Sequence, residues 1–303
     1  MIKDSIKTFI GRTANHPIAW PIYKACGWLS TRFGRIYGHA RFARENTEQD
    51  ELLTRTIAEL FPDLTVANGL FKGLRYPASR SFGSAFLPKL LGSYESELHP
   101  YLKEMLSNNY TAIVDIGCAE GYYAVGLGRR LGSVQVYAFD TDLRARQACA
   151  AMATFNGVDD RIHIGGFCDE KILKTIPLGS KALVISDCEG YEDALFNADL
   201  AQILARHDVI VETHDFINID ISSNVRNVFA KTHHVQSVKS VDDIGRALTY
   251  KYAELEKYST NERRLILSER RPATMEWLIM TPKEMTLSHD RSQSSITDLR
   301  AAC

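Results

Sequence analysis

The stretch "TAIVDIGCAEGYYAVGLGRRLGSVQVYAFD", residues 111–140, decides the fold. A short apolar run at 112–117 ends in a glycine turn, and the stretch 122–131 has the character of a helix. A second, β-branched run at 134–140 follows and ends in an acid. Strand, helix and strand in this order predict a parallel βαβ unit.

The same alternation continues towards the carboxyl terminus. Further strands are predicted at 161–166, 181–187, 207–215, 233–241 and 274–282, with helical stretches such as 143–156 between them. The apolar character of the five strands up to residue 215 is continuous rather than alternating, which is typical of a sheet covered on both faces. We therefore expect an α/β protein with a Rossmann-like, seven-stranded, mostly parallel sheet.

The glycine turn after the first strand has the features of a cofactor loop. Gly117 and Gly121 flank the turn, and glycine permits positive φ and close backbone approach. The next strand ends in Asp140, 23 residues after Gly117, where an acid can bind ribose hydroxyls. Glycines within 126–132 fall inside the following helix and are not part of the loop.

The spacing of the loop separates two cofactor classes. A dinucleotide loop has the pattern GxGxxG, whereas this loop is D-x-G-x-x-x-G, with Ala119 in place of a central glycine. Asp115 is a poor neighbour for a pyrophosphate and a good one for a sulfonium and an ammonium group. The pattern favours S-adenosylmethionine over a nicotinamide cofactor.

The predicted fourth strand ends in a dense group of acids, in "LVISDCEGYEDALFN" at 183–197. Glu192 and Asp193 suit the first turn of a helix, where we expect them to face solvent. Asp187 closes the buried strand and is the candidate active-site acid. Glu189 has two open roles, in the turn or in an acceptor pocket.

The predicted fifth strand ends in "VETHDF", which brings further functional groups to the same sheet edge. If strands four and five are adjacent, Glu212, His214 and Asp215 lie near Asp187. One hypothesis makes His214 a general base, with Asp187 and Glu212 as its catalytic neighbours. The other has Asp187, Glu212, His214 and Asp215 hold Mg²⁺ and so acidify a substrate hydroxyl.

Three elements, "VDIGCAEGYY", "AFD" and "SDCEGYE", together resemble class I S-adenosylmethionine-dependent methyltransferases, and most of all the FkbM-type family. Asp140 departs from that pattern, since glutamate is more usual there. The resemblance implies a class I methyltransferase domain at 85–285. It leaves a helical extension or cap at 1–84 and a disordered tail at 286–303.

The resemblance also implies which residues bind the cofactor. They are Asp115, Gly117, Cys118, Ala119 and Gly121 for the methionine part, Asp140 and Thr141 for the ribose, Phe167, Cys168 and Asp169 for the adenine, and Asp187 beside the methyl group. Lys89, Tyr94 and Glu95 are candidates for cofactor or acceptor contact, unless they only begin a helix. The charged run 263–272 can bind a polar acceptor or be a solvated face.

The implied activity is O-methylation of a hydroxyl on a sugar, a polyketide or a similar small metabolite. An NAD(P)-dependent oxidoreductase and a non-catalytic cofactor-binding protein are the alternatives. A divalent metal is uncertain. Nucleic acid is not an expected partner, because the catalytic part is acidic and lacks the Asn/Asp-Pro-Pro-aromatic motif that grips an amino nitrogen.

Composition agrees with a globular, cytoplasmic enzyme. The 303 residues are 45% hydrophobic and 24% charged, and the six cysteines show no metal-ligand spacing. The net charge of −1 hides an asymmetry, because residues 1–44 carry eight basic side chains and one acid. Aromatic residues are interleaved there, so this segment is expected to cap the acceptor site, with peripheral membrane contact or nucleic-acid contact as alternatives.

Overall fold

The computed structural model describes residue 44 and residues 47–283, which are built around one seven-stranded sheet. Its strands are β1 (Ala112–Ile116), β2 (Gln135–Phe139), β3 (Ile162–Gly165), β4 (Ala182–Ser186), β5 (Asp208–Thr213), β6 (His233–Lys239) and β7 (Glu276–Pro282). The order is β3-β2-β1-β4-β5-β7-β6, and only β7 runs antiparallel to its neighbours. The Rossmann-like, mostly parallel sheet expected from the sequence is confirmed.

Helices connect the strands and cover both faces of the sheet. They are α1 (47–60), α2 (Phe86–Leu91), α3 (His99–Met105), α4 (Tyr122–Leu131), α5 (Leu143–Phe155), α6 (Glu170–Thr175), α7 (Glu192–Leu195), α8 (Ala198–Ile203), α9 (Ile221–Phe229), α10 (Asp243–Thr249) and α11 (Thr260–Leu267). Every residue of β1, β4 and β5 is buried. The continuous apolar runs of these strands therefore fill a core on each side of the sheet.

The described part of the N-terminal extension packs into that core. Phe61, Phe71 and Leu74 are buried in the same cluster as Ile113 of β1. Phe71 lies against α4, where a Cβ on Gly126 would come within 2.7 Å of its ring. Gly126 thus serves helix packing, as expected for a glycine outside the cofactor loop.

The topology brings the ends of β1 and β4 together at the centre of the sheet. These strands are adjacent and parallel, while β2 and β5 flank them. Crossover connections leave in opposite directions at this point, which is where α/β sheets bind ligands. The acids at the carboxyl ends of β1, β2, β4 and β5 therefore share one edge.

Two predictions fall outside the described residues. They concern the basic, aromatic segment before residue 44 and the tail at 286–303. Among the described residues, no helix is both long and apolar enough to cross a membrane.

Candidate active site

Glycine is required where the cofactor loop passes under the end of β4. Gly117 has φ of 87°, and a Cβ there would lie 1.7 Å from the carbonyl oxygen of Asp187. The amide of Asp187 in turn donates to the carbonyl of Ile116 at 2.8 Å. Gly121, with φ of 94°, begins α4. The loop is therefore fixed by its close contact with the end of β4 as well as by its own turn.

Asp140 ties the loop to the end of β2. Its Oδ2 accepts a hydrogen bond from the amide of Ala119 at 2.9 Å, and its Oδ1 accepts one from the amide of Asp142 at 2.8 Å. The amides of Gly117 and Cys118 both donate to the carbonyl of Phe139. The carboxylate is thus held between the two strand ends, with one side turned to a cavity.

That cavity, of about 450 Å³, opens at the carboxyl ends of the strands. The predicted site residues that line it are Asp115, Gly117, Cys118, Ala119, Asp140, Thr141, Phe167, Cys168, Asp187 and Glu212, and Lys89, Tyr94, Glu95 and Glu189 line it as well. Gly121 and His214 are not among the residues that line the cavity. The volume is that of a small-molecule site.

Asp115 is one of three deeply buried acids of the cavity wall, with Glu95 and Glu212. It is 3% exposed, and its Oδ2 has no hydrogen-bond partner among the described residues. Burial, together with the charges of Asp187 and Asp140, raises the pKa of Asp115 to about 7. A buried, unpaired carboxylate oxygen is costly unless a proton or a cation joins it.

Asp187 and Glu212 form a strained pair of acids at the ends of β4 and β5. Burial, followed by the charge of Glu95, raises the pKa of Asp187 to about 6. Burial and the charge of Asp187 raise the pKa of Glu212 well above its usual value. Like charges this close cannot both be ionised at low cost, so this pair also favours a bound cation.

His214 lies among carboxylates. Its Nε2 is 3.4 Å from Asp187 Oδ1 and 3.4 Å from Glu189 Oε2, and its Nδ1 is 2.7 Å from Glu192 Oε1. Burial lowers the pKa of His214, but hydrogen bonds to Glu189 and Glu192 outweigh it and raise the pKa to about 10. At neutral pH His214 is therefore an imidazolium in the free protein.

The expectation that Glu192 faces solvent is wrong. Its side chain is fully buried, because α7 turns it inward onto His214 and the amide of Gly190. Asp193 is exposed, as expected. An acid in the first turn suits the helix dipole on any face. Only the pairing with His214, 22 residues further on, gives Glu192 its direction.

Two other acids serve local structure. Both carboxylate oxygens of Asp215 accept hydrogen bonds from Ser222, at 2.8 and 2.6 Å, so Asp215 does not join the proposed metal ligands. Asp169 caps α6 by accepting from the amide of Ile172 at 2.9 Å, and it does not line the cavity near an adenine. Capping satisfies a nearby amide and holds each side chain away.

The site offers a metal three ligand residues, whereas the sequence suggested four. Asp187, Glu212 and His214 each offer one atom, and these atoms lie within 4.8 Å of one another. Glu212 already pairs with Arg271, and His214 carries a proton. A divalent cation bound here would have to displace that proton and share Glu212 with the guanidinium.

No residue of the charged run 263–272 lines the cavity. The run is not simply a solvated face either, because Glu269 and Arg271 are largely buried. Arg271 pairs with Glu95 at 2.6 Å, with Glu269 at 2.7 Å and with Glu212. Its guanidinium lies 4.7 Å from the ring centroid of Trp277. Sequence spacing gave no signal for Glu95 and Glu212 as partners, because they lie 176 and 59 positions from Arg271 in the chain.

Lys89 is the only basic residue among the described residues that line the cavity. Its Nζ lies 2.6 Å from Glu120 Oε1, and both side chains are 3% exposed. Burial raises the pKa of Glu120, but the charge and hydrogen bond of Lys89 outweigh it and lower the pKa. Lys89 is therefore neutralised within the wall, and the cavity keeps an excess of carboxylates.

Comparison with known proteins supports no family assignment. No family model and no curated protein matches the chain. Several methyltransferase structures resemble part of it, including a precorrin-6y C5,15-methyltransferase from Geobacter metallireducens, at 10% identity and a TM-score of 0.42. That similarity covers 62% of this chain and 88% of the other.

Two further structures show a likeness of the same order. A geranyl diphosphate methyltransferase in complex with GPP and sinefungin is 13% identical, with a TM-score of 0.39, over 64% of this chain and 81% of the other. A tRNA methyltransferase from B. subtilis is 12% identical, with a TM-score of 0.38, over 61% of this chain and 64% of the other. Identities and TM-scores this low assign no function.

Proposed function

We propose that this chain is an S-adenosylmethionine-dependent methyltransferase that acts on a hydroxyl group of a small molecule. One observation carries the proposal: a glycine loop at the sheet's switch point opens into a cavity rich in carboxylates. Its one basic lining residue within the described ranges, Lys89, is already paired. Such a cavity suits a cofactor that brings positive charge.

A nicotinamide cofactor, the alternative, suits the cavity poorly. It would place a pyrophosphate at the loop, beside Asp115 and Asp140. Neither acid pairs with a basic side chain in the described part of the chain, and the loop lacks the central glycine of GxGxxG. Two negative phosphates would therefore meet negative carboxylates in a partly desolvated site.

The residues present fit S-adenosylmethionine. The unpaired Oδ2 of Asp115 can receive its ammonium group, and Asp140, together with Thr141, lies where the ribose hydroxyls would be held. Phe167 is half exposed and offers its ring to the adenine. When bound, the cofactor supplies a methyl group activated by a sulfonium charge.

We propose that Asp187, and not His214, is the base that removes the proton of the acceptor hydroxyl. A base must be unprotonated at working pH, and the pKa of Asp187, at about 6, meets that need. His214, with a pKa of about 10, is protonated and so holds Asp187 and Glu189 in place. Arg271 fixes Glu212 beside them. Positioning of the acceptor oxygen in line with the methyl group then gives most of the rate.

Transfer to oxygen, on a sugar, a polyketide or a similar metabolite, is proposed from the FkbM-type resemblance of "SDCEGYE". The test is transfer of a labelled methyl group to a panel of hydroxylated compounds, followed by mass spectrometry of the product. O-methylated product with equimolar S-adenosylhomocysteine is expected. A product methylated only on nitrogen or carbon would contradict the proposal.

The metal hypothesis is tested in the same assay. The protonated state of His214 and the pairing of Glu212 favour turnover without a metal. Activity should therefore survive exhaustive dialysis against EDTA. Loss of activity that Mg²⁺ or Mn²⁺ restores would instead assign Asp187, Glu212 and His214 to a metal site.

A further inference from the structure

The loop that follows β5 presents apolar side chains beside the reactive acids. Phe216, Ile217 and Ile219, here called the apolar rim, are 48%, 55% and 80% exposed. Isolated exposed apolar residues are ordinary, but three within four positions, next to the turn that carries Glu189 of the cavity wall, form a patch. Patches of this kind mark surfaces that bind a ligand.

The exposure of the apolar rim is fixed by the backbone. The amides of Ile217 and Asn218 donate to the carbonyl of His214, at 2.8 and 3.4 Å. The amide of Asp220 donates to Asn218 Oδ1 at 3.2 Å, and Ile221 then begins α9. This turn holds the side chains outward next to the site.

The apolar rim is continuous with the acid cluster. A Cβ on Gly190 would lie 3.0 Å from Ile217 Cδ1, so glycine at this position lets Ile217 lie against the turn. The adjacent Glu189 reaches His214, and the ring of Phe216 is 5.8 Å from the His214 ring. The apolar rim thus borders the cavity wall at Glu189, so a molecule that places an oxygen at Asp187 can extend past Glu189 onto Ile217 and Phe216.

Charge at the mouth restricts the same molecule further. Glu189 is 73% exposed there, Asp187 is 38% exposed, and no cation among the described lining residues is free to receive an anion. Resting on the methyl transfer proposed above, we propose that the acceptor carries its hydroxyl on an apolar skeleton and has no negative charge. The skeleton packs on the apolar rim while the hydroxyl reaches Asp187.

Matched probes test this class without knowledge of the natural acceptor. The full chain, saturated with S-adenosylhomocysteine, is titrated calorimetrically with decyl β-D-glucoside, decylamine, decanoate and methyl β-D-glucoside below micellar concentrations. We expect the first two to bind at least about tenfold more tightly than the last two. Equal affinity for decanoate, or for the glucoside without the chain, would overturn the proposal.

Variants assign the binding to the apolar rim. The double change Ile217→Asn and Ile219→Asn should weaken decyl glucoside binding about tenfold, with unchanged affinity for S-adenosylhomocysteine. Ile244→Asn, at a comparably exposed isoleucine of α10, a helix with no residue in the cavity lining, is the control and should change neither. A lower unfolding temperature with unchanged probe binding would make the rim an internal packing surface and refute its proposed role.

The two levels of the account fail separately. If S-adenosylhomocysteine does not bind the unaltered chain, the proposed function is wrong and this inference falls with it. If it binds but the four probes are not discriminated, only the acceptor class is wrong.

Discussion

Asp187 shows how one residue can serve both structure and chemistry. Its amide and carbonyl hold the end of β4 against the loop after β1, and its carboxylate faces the cavity. The sequence singled it out because it alone closes a buried strand. The sequence could not show that His214 is protonated, since that depends on Glu189 and Glu192 folding onto the ring.

Cofactor affinity should depend on the charge of Asp115. Its pKa in the free protein is raised to about 7, so the carboxylate gains its charge as the pH rises through that value. Affinity for S-adenosylmethionine should therefore increase about tenfold between about pH 5.5 and 8. Asp115→Asn should weaken binding and flatten this dependence in calorimetric titrations. A variant with the unaltered pH dependence would show that Asp115 does not meet the cationic cofactor.

The pH profile of turnover separates Asp187 from His214 as the base. Asp187→Asn should lower kcat by about 10²- to 10⁴-fold. His214→Asn should leave activity at high pH and shift the acidic limb upward, because the imidazolium lowers the pKa of Asp187. Activity of His214→Asn that does not recover at high pH would restore His214 as the base.

At the scale of elements, apolar patterning predicted what the sheet needs. All seven strands lie within the predicted ranges, and β1, β4 and β5 gave the clearest signal because strands that are buried throughout are continuously apolar. The short helix α2 gives no periodic signal in the sequence, since it has only six residues and one of them is Pro88. Glu192 was misplaced because its direction depends on contact between α7 and the end of β5.

The close approach of Gly117, just after β1, to the end of β4 leads to a prediction. Gly117→Ala brings a Cβ to 1.7 Å from a carbonyl oxygen, so backbone must move and cofactor binding should be lost. Gly132→Ala is the matched control, because it has φ of 65° and no atom within 4 Å of the added Cβ. The control should cost about 1 kcal/mol in urea unfolding, and Gly117→Ala should cost several times more. Equal losses of unfolding free energy in the two variants would refute the close contact between Gly117 and the end of β4.

At the scale of the whole molecule, buried charges link distant segments around the cavity. Arg271 joins the loop at Glu95 to the end of β5, while Arg246 on α10 pairs with Glu97 and Glu269. The pairs of Arg271 with Glu95 and of Arg246 with Glu97 span 176 and 149 positions, so local spacing could not predict them. The role of the basic N-terminal segment stays a prediction.

This network should be important for stability. Arg271→Met leaves three acids without their shared partner and should lower the free energy of unfolding by about 3–5 kcal/mol. The adjacent Arg270 is 64% exposed and 3.8 Å from its acid, so Arg270→Met should cost less than about 1 kcal/mol. Chemical denaturation of the two variants gives the comparison. Similar values for both would show that the buried pairs contribute little.

The central claim is that the acidic cavity holds a cationic cofactor, and calorimetric titration of the full chain tests it most directly. S-adenosylmethionine should bind with a stoichiometry of one, more tightly at low salt, and NADH should not bind. Binding of NADH without binding of S-adenosylmethionine would contradict the account.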